Sequence, residues 1–310
     1  MAADLPSRIG PYRVVELIGK AGSSAVYKAE APSGHPVAVK LFPARLTGEP
    51  ATVERFHSVL GQADPVTNHP NLVRIFQTGQ EGDRLFLALE LIEGTSLDRV
   101  LKARRLSVPE SLAVAKGICR GLAHAHQHGI LHLGLKPRGV LVSPDLATVK
   151  VGDLGAAAFE SVTNLTGTIS TGEISLGGLY YLAPEQVEGG AGSGKVDHRA
   201  DLYAAGVILH EMLTGRPPGP RFGLPSQLNP ELTPDVDVLV LKCLAKKPSE
   251  RFATALDLLN GIANLEEVLR LRLASQIRGI SQGKARPLLL FLGLAVLVLA
   301  VLAGAWLLLR

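Results

Sequence analysis

The sequence predicts an α+β protein of two lobes followed by one membrane-spanning helix, and three observations carry that reading. Short apolar or alternating segments bounded by Gly, Pro or Asn fill the first third, as strands do. After Gly94 the apolar spacing changes to the three-and-four period of helices. From Pro287 to Leu309 the chain carries no charged residue at all.

Residues 1–8 read as a polar tail. Strands of a small antiparallel sheet are predicted over Tyr12–Leu17, Ala25–Ala29, Pro36–Leu41, Leu72–Thr78 and Leu85–Leu91, interrupted by one helix over Thr52–Ala63. These make a first lobe over 9–92. Helices follow over Ser96–Ala103, Pro109–His128, Arg199–Thr214, Val236–Leu244 and Ala253–Leu265, giving a helical lobe over 93–265 with a cleft between the two. Ala156–Gly178 is rich in Gly, Ser and Thr without periodicity and reads as a loop. Residues 266–286 form a basic segment ahead of the apolar stretch 287–309.

As a helix, 287–309 would span about 34 Å at about 1.5 Å per residue, against roughly 30 Å of hydrocarbon. A buried globular helix would keep some polar positions, so this stretch is predicted to cross a membrane once. Arg270, Arg272, Arg278, Lys284 and Arg286 precede it and only Arg310 follows. The positive side faces the cytoplasm, and Met1–Gly10 lacks the apolar run of a signal peptide. The expected location is therefore the cytoplasmic membrane, with the two-lobed domain in the cytosol. The formal net charge of +4 gives no case for nucleic acid, because the basic cluster sits where anionic headgroups would meet it. Cys119 and Cys243 lie far apart without CxxC spacing, as free thiols of a reducing compartment do. Ala300 and Gly304, one turn apart, offer a small-xxx-small surface for a homodimer.

Several motifs bear on chemistry. Ile18-Gly19-Lys20-Ala21-Gly22-Ser23-Ser24-Ala25-Val26-Tyr27 lies between the first two strands, and Val37-Ala38-Val39-Lys40 places a lysine in an apolar strand. Leu89-Glu90-Leu91-Ile92 closes the sheet. His132-Leu133-Gly134-Leu135-Lys136-Pro137-Arg138-Gly139 is followed by Gly152-Asp153-Leu154-Gly155. Ala183-Pro184-Glu185, Asp201 and Arg251 complete the set. In this order the motifs resemble those of the eukaryotic-type, or bacterial Hanks-type, Ser/Thr protein kinase family. The resemblance runs over about five-sixths of the chain and implies the bilobal kinase fold.

What the resemblance implies for individual residues is mixed. Gly19, Val26, Ala38 and Lys40, the hinge residues Glu90 and Ile92, and Asp153 correspond to an ATP site, with Asp153 as the one metal ligand retained. The catalytic loop keeps His132 and Lys136. Gly134 stands where the family has its base, however, and Gly139 where it has an Asn on magnesium. Glycine can neither accept a proton nor ligate a metal. Leu133 and Gly178 replace an Arg and a Thr of the family pattern. The Glu that orients the strand lysine falls on Val59 or Leu60, with Glu54 more than a turn too early. By contrast, Glu185, Arg251 and Asp201 match the family's structural charges.

The resemblance thus implies a pseudokinase: a membrane-anchored scaffold or regulator of another signalling protein, such as an active kinase, with ATP bound and magnesium held weakly. The alternative is an active Ser/Thr kinase with a non-standard site. A different transfer reaction on bound nucleotide has no residue in its favour. His124, His126 and His128, with His132 nearby, raise a metal site, but no Cys, Asp or Glu close in sequence completes a tetrahedral set. Ser161, Thr163, Thr166, Thr168, Ser170 and Thr171 are candidate phosphorylation sites for a second kinase.

Overall fold

Residues 8–90 build an antiparallel sheet of six strands. They are β1 (Arg8–Ile9), β2 (Tyr12–Ala21), β3 (Ser24–Glu30), β4 (Pro36–Leu41), β5 (Ile75–Glu81) and β6 (Arg84–Glu90), in the order β1-β2-β3-β4-β6-β5. The structure, a computed structural model, describes residues 5–21, 24–47, 50–60, 63–154, 176–188, 196–219 and 223–275. Two helices, α1 (Pro50–Leu60) and α2 (Ala63–Thr67), lie between β4 and β5.

Alternation along the strands sorts the side chains onto two faces. Val37, Val39 and Leu41 of β4 pack with Ile9, Tyr12, Val14 and Phe86. On the other side Phe42, Phe56 and Leu60 pack with Ile75, Leu85 and Leu87. Leu60, one of the two positions aligned with the orienting Glu, is therefore a core residue, 2% exposed. Gly79 leaves room for the Phe86 ring, which would stand 2.3 Å from a Cβ there and would have to shift to admit one.

The second lobe begins with β7 (Thr95–Ser96), α3 (Leu97–Ala103) and α4 (Val108–Gln127). A cap starts α4: Ser107 accepts from the Glu110 N–H at 3.3 Å, and the Glu110 carboxylate accepts from the Ser107 N–H at 2.7 Å. The helix ends where Gly129 takes φ +73°, a turn suited to glycine. Next come β8 (Val140–Val142) and β9 (Val149–Val151), which with β7 form a three-stranded sheet absent from the sequence expectation. Then follow α5 (Pro184–Glu188), α6 (Arg199–Thr214), α7 (Pro225–Leu228) and α8 (Pro234–Cys243). Helix α6 is buried along nearly its whole length and packs against α4 and α8. Residues 255–275 are helical, ten residues beyond the expected end.

Some boundaries differ from the sequence expectation for physical reasons. Strand β5 starts three residues later than expected because Leu72 bridges to Val151 of the second lobe instead. Strand β2 runs on to Ala21, so Gly19 lies inside it, opposite Val26. The expected single helix over Thr52–Ala63 is two.

The chain forms two compact units, Met1–Ala263 and Asn264–Arg310, and both lobes belong to the first. Among the described residues no helix is long and apolar enough to cross a membrane. The stretch 287–309 lies outside the described residues, as do most of the Ala156–Gly178 loop and its Ser and Thr residues.

Candidate functional site

The site begins with a buried carboxylate. Asp201, in the first turn of α6, is 1% exposed. Its oxygens accept the backbone N–H of His132 at 2.9 Å and of Leu133 at 2.7 Å, and His126 Nε2 lies 2.8 Å away. Leu133 has φ +56°, a conformation that strains a branched side chain by about 1–3 kcal/mol. It is held there from both sides, since Gln186 Nε2 donates to its carbonyl at 2.8 Å. His132 Nε2 lies 3.0 Å from the Gly152 carbonyl, and the Gly152 N–H donates to the Gly139 carbonyl at 2.8 Å. The loop 132–139 is thereby fixed to the end of β9.

That anchoring brings Asp153 under the sheet. It too has a left-handed backbone, φ +56°, and its Oδ1 accepts from Lys40 Nζ at 2.7 Å. The Lys40 ammonium holds the Asp153 carboxyl below the ordinary carboxylate range, against the opposing effect of its desolvation. Lys40 is the penultimate residue of β4, and its side chain is only 6% exposed. Val26 pairs with Lys40 and Lys28 with Ala38, so Val26, Ala38 and Lys40 share one face of the sheet. Beneath that face Val73, Ile75, Leu87, Leu89, Asp153 and Leu154 leave a gap of only about 10 Å³.

At the end of β6 the Glu90 carboxylate accepts from Lys150 Nζ at 2.8 Å and from the Arg74 N–H at 3.2 Å. Lys150 also donates to the Leu72 carbonyl at 3.1 Å. Glu90 and Ile92 also line an open groove of about 700 Å³ with Ser143, Asp145 and Lys150, to which Lys40, Ala38 and Asp153 contribute nothing.

Gly134 and Gly139 add no functional group to this frame. A Cβ on Gly139 would stand 3.7 Å from Asp153 Oδ2, so the missing side chain would have faced the carboxylate. Leu133, in the family's Arg position, contributes its backbone alone. The histidine run splits: His124 lies against both His69 and His128 with ring centroids 4.5 Å apart in each case, while His126 turns to Asp201. Among the described residues no group of three or more His, Cys, Asp or Glu could hold a metal ion.

The structural charges meet as their motifs imply. Arg251 Nη1 and Nη2 donate to the two Glu185 oxygens at 2.6 and 2.7 Å, and the same guanidinium donates to the Ala245 and Arg199 carbonyls at 2.9 Å each. Sequence reasoning missed Arg138. Its guanidinium donates to the Lys20 carbonyl of β2, joining the catalytic-type loop to the first lobe. The available signal was a second cation two residues after Lys136 in a loop otherwise stripped of function. Tyr181 was also missed; its hydroxyl donates to Glu211 at 2.5 Å.

Comparison with known proteins places the frame. The protein kinase domain model matches residues 12–271. The chain belongs to the protein kinase family. Serine/threonine-protein kinase PrkC of Bacillus subtilis is 33% identical over 265 residues, covering 80% of this chain and 39% of that protein. Pkn1 of Myxococcus xanthus is 34% identical over 314 residues, covering 96% and 42%. The chain thus spans about two fifths of the length of these relatives. The kinase domain of Mycobacterium tuberculosis PknI superposes with a TM-score of 0.67 at 23% identity, over 84% of this chain and 99% of that one. This last likeness concerns the fold, and it is the bilobal kinase fold expected from the motifs.

Kinases of this family commonly carry two magnesium ions between the protein and the phosphates. The residues here do not fit that pair. Gly139 brings no side-chain oxygen in the place of the family's Asn, and one of the two Asp153 oxygens is already engaged by Lys40. Magnesium is usually held by one or two carboxylates together with phosphate oxygens, and among the described residues Asp153, half-committed to an ammonium, is the carboxylate at this place.

Proposed function

We propose that this kinase-family chain is a pseudokinase: a nucleotide-binding regulator or scaffold of a protein partner, anchored in the cytoplasmic membrane by residues 287–309. The observation that carries the catalytic half is the pair of glycines in the loop. Gly134 cannot take a proton from a hydroxyl, and Gly139 leaves bare the space facing Asp153. General-base catalysis is worth about 10²–10⁴ in rate, and the lost metal ligand lowers the rate further. The anchoring half rests on the uncharged run itself and on the basic residues ahead of it.

Nucleotide binding is supported by the shared face of Val26, Ala38 and Lys40, by the hinge at Glu90 and Ile92, and by the Lys40–Asp153 pair at 2.7 Å. Bound ATP would supply a regulatory ligand here rather than a leaving phosphate. Lys40 would hold its phosphates, and the Glu90 carbonyl and Ile92 N–H its adenine.

A second reading has its own observation: the relatives at 33–34% identity are named serine/threonine-protein kinases. On that reading the chain transfers phosphate with rearranged groups. Incubating the purified chain with radiolabelled ATP, divalent cation and generic protein substrates separates the two. No incorporation into itself or the substrates is expected. Incorporation abolished by Lys40→Ala would establish the second reading.

A further inference from the structure

The cleft carries an imbalance of charge that its missing metal ligands do not explain. Lys40 reaches Asp153 from the first lobe, and Lys136 stands near enough on the loop below to act on the same carboxylate. Two residues on, Arg138 is exposed and sits in the tight turn Pro137–Gly139. This turn fixes its backbone against Asp153, since Gly139 bonds both Lys136 and Gly152. From there the guanidinium donates to the Lys20 carbonyl, one residue beyond Gly19 on β2. Lys20 faces Ala25 across the β2–β3 hairpin, and the neighbouring Val26 of β3 pairs with Lys40 of β4. The contact therefore closes the cleft between the loop and the hairpin, at the end where Lys40 and Asp153 meet.

Two cations thus meet this end of the cleft, Lys40 on Asp153 and Arg138 on the backbone of the β2–β3 hairpin. In a cleft equipped for two divalent ions, acidic and amide side chains hold the ions, and the ions neutralise the phosphates. Here the metal-holding acid, Asp153, is paired with Lys40 and the amide is Gly139, while Gly134 removes the negative charge of the family's base. Arginine is suited to the vacated role, because its planar fork bonds phosphate oxygens bidentately and stays charged at any pH.

We infer that Arg138, assisted by Lys136, neutralises the phosphates of a bound nucleoside triphosphate in place of divalent metal, so that this cleft binds ATP without magnesium. Arg138 also draws the β2–β3 hairpin over the phosphates through its bond to Lys20. The inference rests on the nucleotide-binding reading above and specifies its chemistry.

The test is equilibrium binding of ATP and of adenosine to the full chain in detergent micelles, in EDTA and in millimolar magnesium. The expected result is ATP affinity equal within about twofold in the two buffers, since no ion is required. Arg138→Ala should weaken ATP binding in EDTA by about tenfold or more, the worth of a charge-assisted hydrogen bond, and leave adenosine unchanged. Arg138→Lys, which keeps the charge and loses the fork, should fall between. Adenosine serves as the internal control, because a variant that merely distorts the cleft weakens both ligands together. ATP binding that appears only with magnesium overturns the inference, as does an Arg138→Ala effect equal for ATP and adenosine. Binding of neither ligand by the unaltered chain removes the nucleotide reading itself along with it.

Discussion

Arg251 has no exposed side-chain surface, and all its bonds go to Glu185 and to backbone carbonyls. Removing one partner of such a pair leaves the other charged, buried and unmatched, which costs about 3–5 kcal/mol. Glu185→Ala and Arg251→Ala should each lower stability by that amount in urea unfolding. A loss below about 1 kcal/mol would mean that solvent already serves the pair, the usual case for exposed bridges. These two residues were legible in the sequence because their motifs resemble those that carry an ion pair in the family. Asp201 was legible from its motif in the same way. Arg138 was not, because an exposed arginine in a polar turn needs no partner to be tolerated. Only the fold places Lys20, 118 residues away in sequence, beside it.

Helix α4 shows what local signals specify. Ser107, Pro109 and Glu110 announce its start, and the structure begins it at Val108 with both halves of the capping box formed. Arg104 adds two bonds to the Glu110 carboxylate, at 2.8 and 3.1 Å. Together with the Ser107 N–H, they lower the Glu110 pKa from 4.5 to about 2. A carboxyl depressed in the folded state stabilises it above the unfolded value, and that contribution is lost as the pH falls toward the folded one. Acid titration of the melting temperature should therefore show a decline between about pH 4.5 and 2 that is smaller in Glu110→Gln. The decline should also shrink in salt, because the pair is partly exposed. Ser107→Ala should cost about 1 kcal/mol at neutral pH; no change would show that Arg104 alone holds the cap. By contrast, β7, β8 and β9 had no readable signal. Strands of two or three residues are too short to alternate, and they exist because Thr95–Ser96 and Val140–Val142 find each other across the fold. The late start of β5 has the same origin: Leu72 looks like strand, but it forms a single bridge to Val151 outside the strands.

At the scale of the whole chain, the switch of period near Gly94 made the two lobes legible, and the ordered motifs made the family legible. What the chain does with that fold depends on where it is held. On the proposed anchoring, an uncharged run of the length of 287–309 would, as a helix, match the bilayer core, and moving it out of lipid would expose about twenty apolar residues to water. Headgroup attraction of the basic segment is worth only about 1 kcal/mol per residue and is screened by salt. The two contributions can therefore be separated. The full chain should stay with membranes through high salt and alkaline carbonate, and a chain ending at Gly283 should be released by salt alone. Retention of that shortened chain through high salt would move the anchor into the domain, and release of the full chain by carbonate would remove the span. On the proposed orientation, with the basic residues on the cytoplasmic side, a reporter active only outside the cytoplasm, fused after Arg310, should be active. If it is silent while a cytoplasmic reporter at the same place works, the kinase-like domain faces outward. The domain would then lie away from cytosolic ATP, and the nucleotide reading would fail with the orientation.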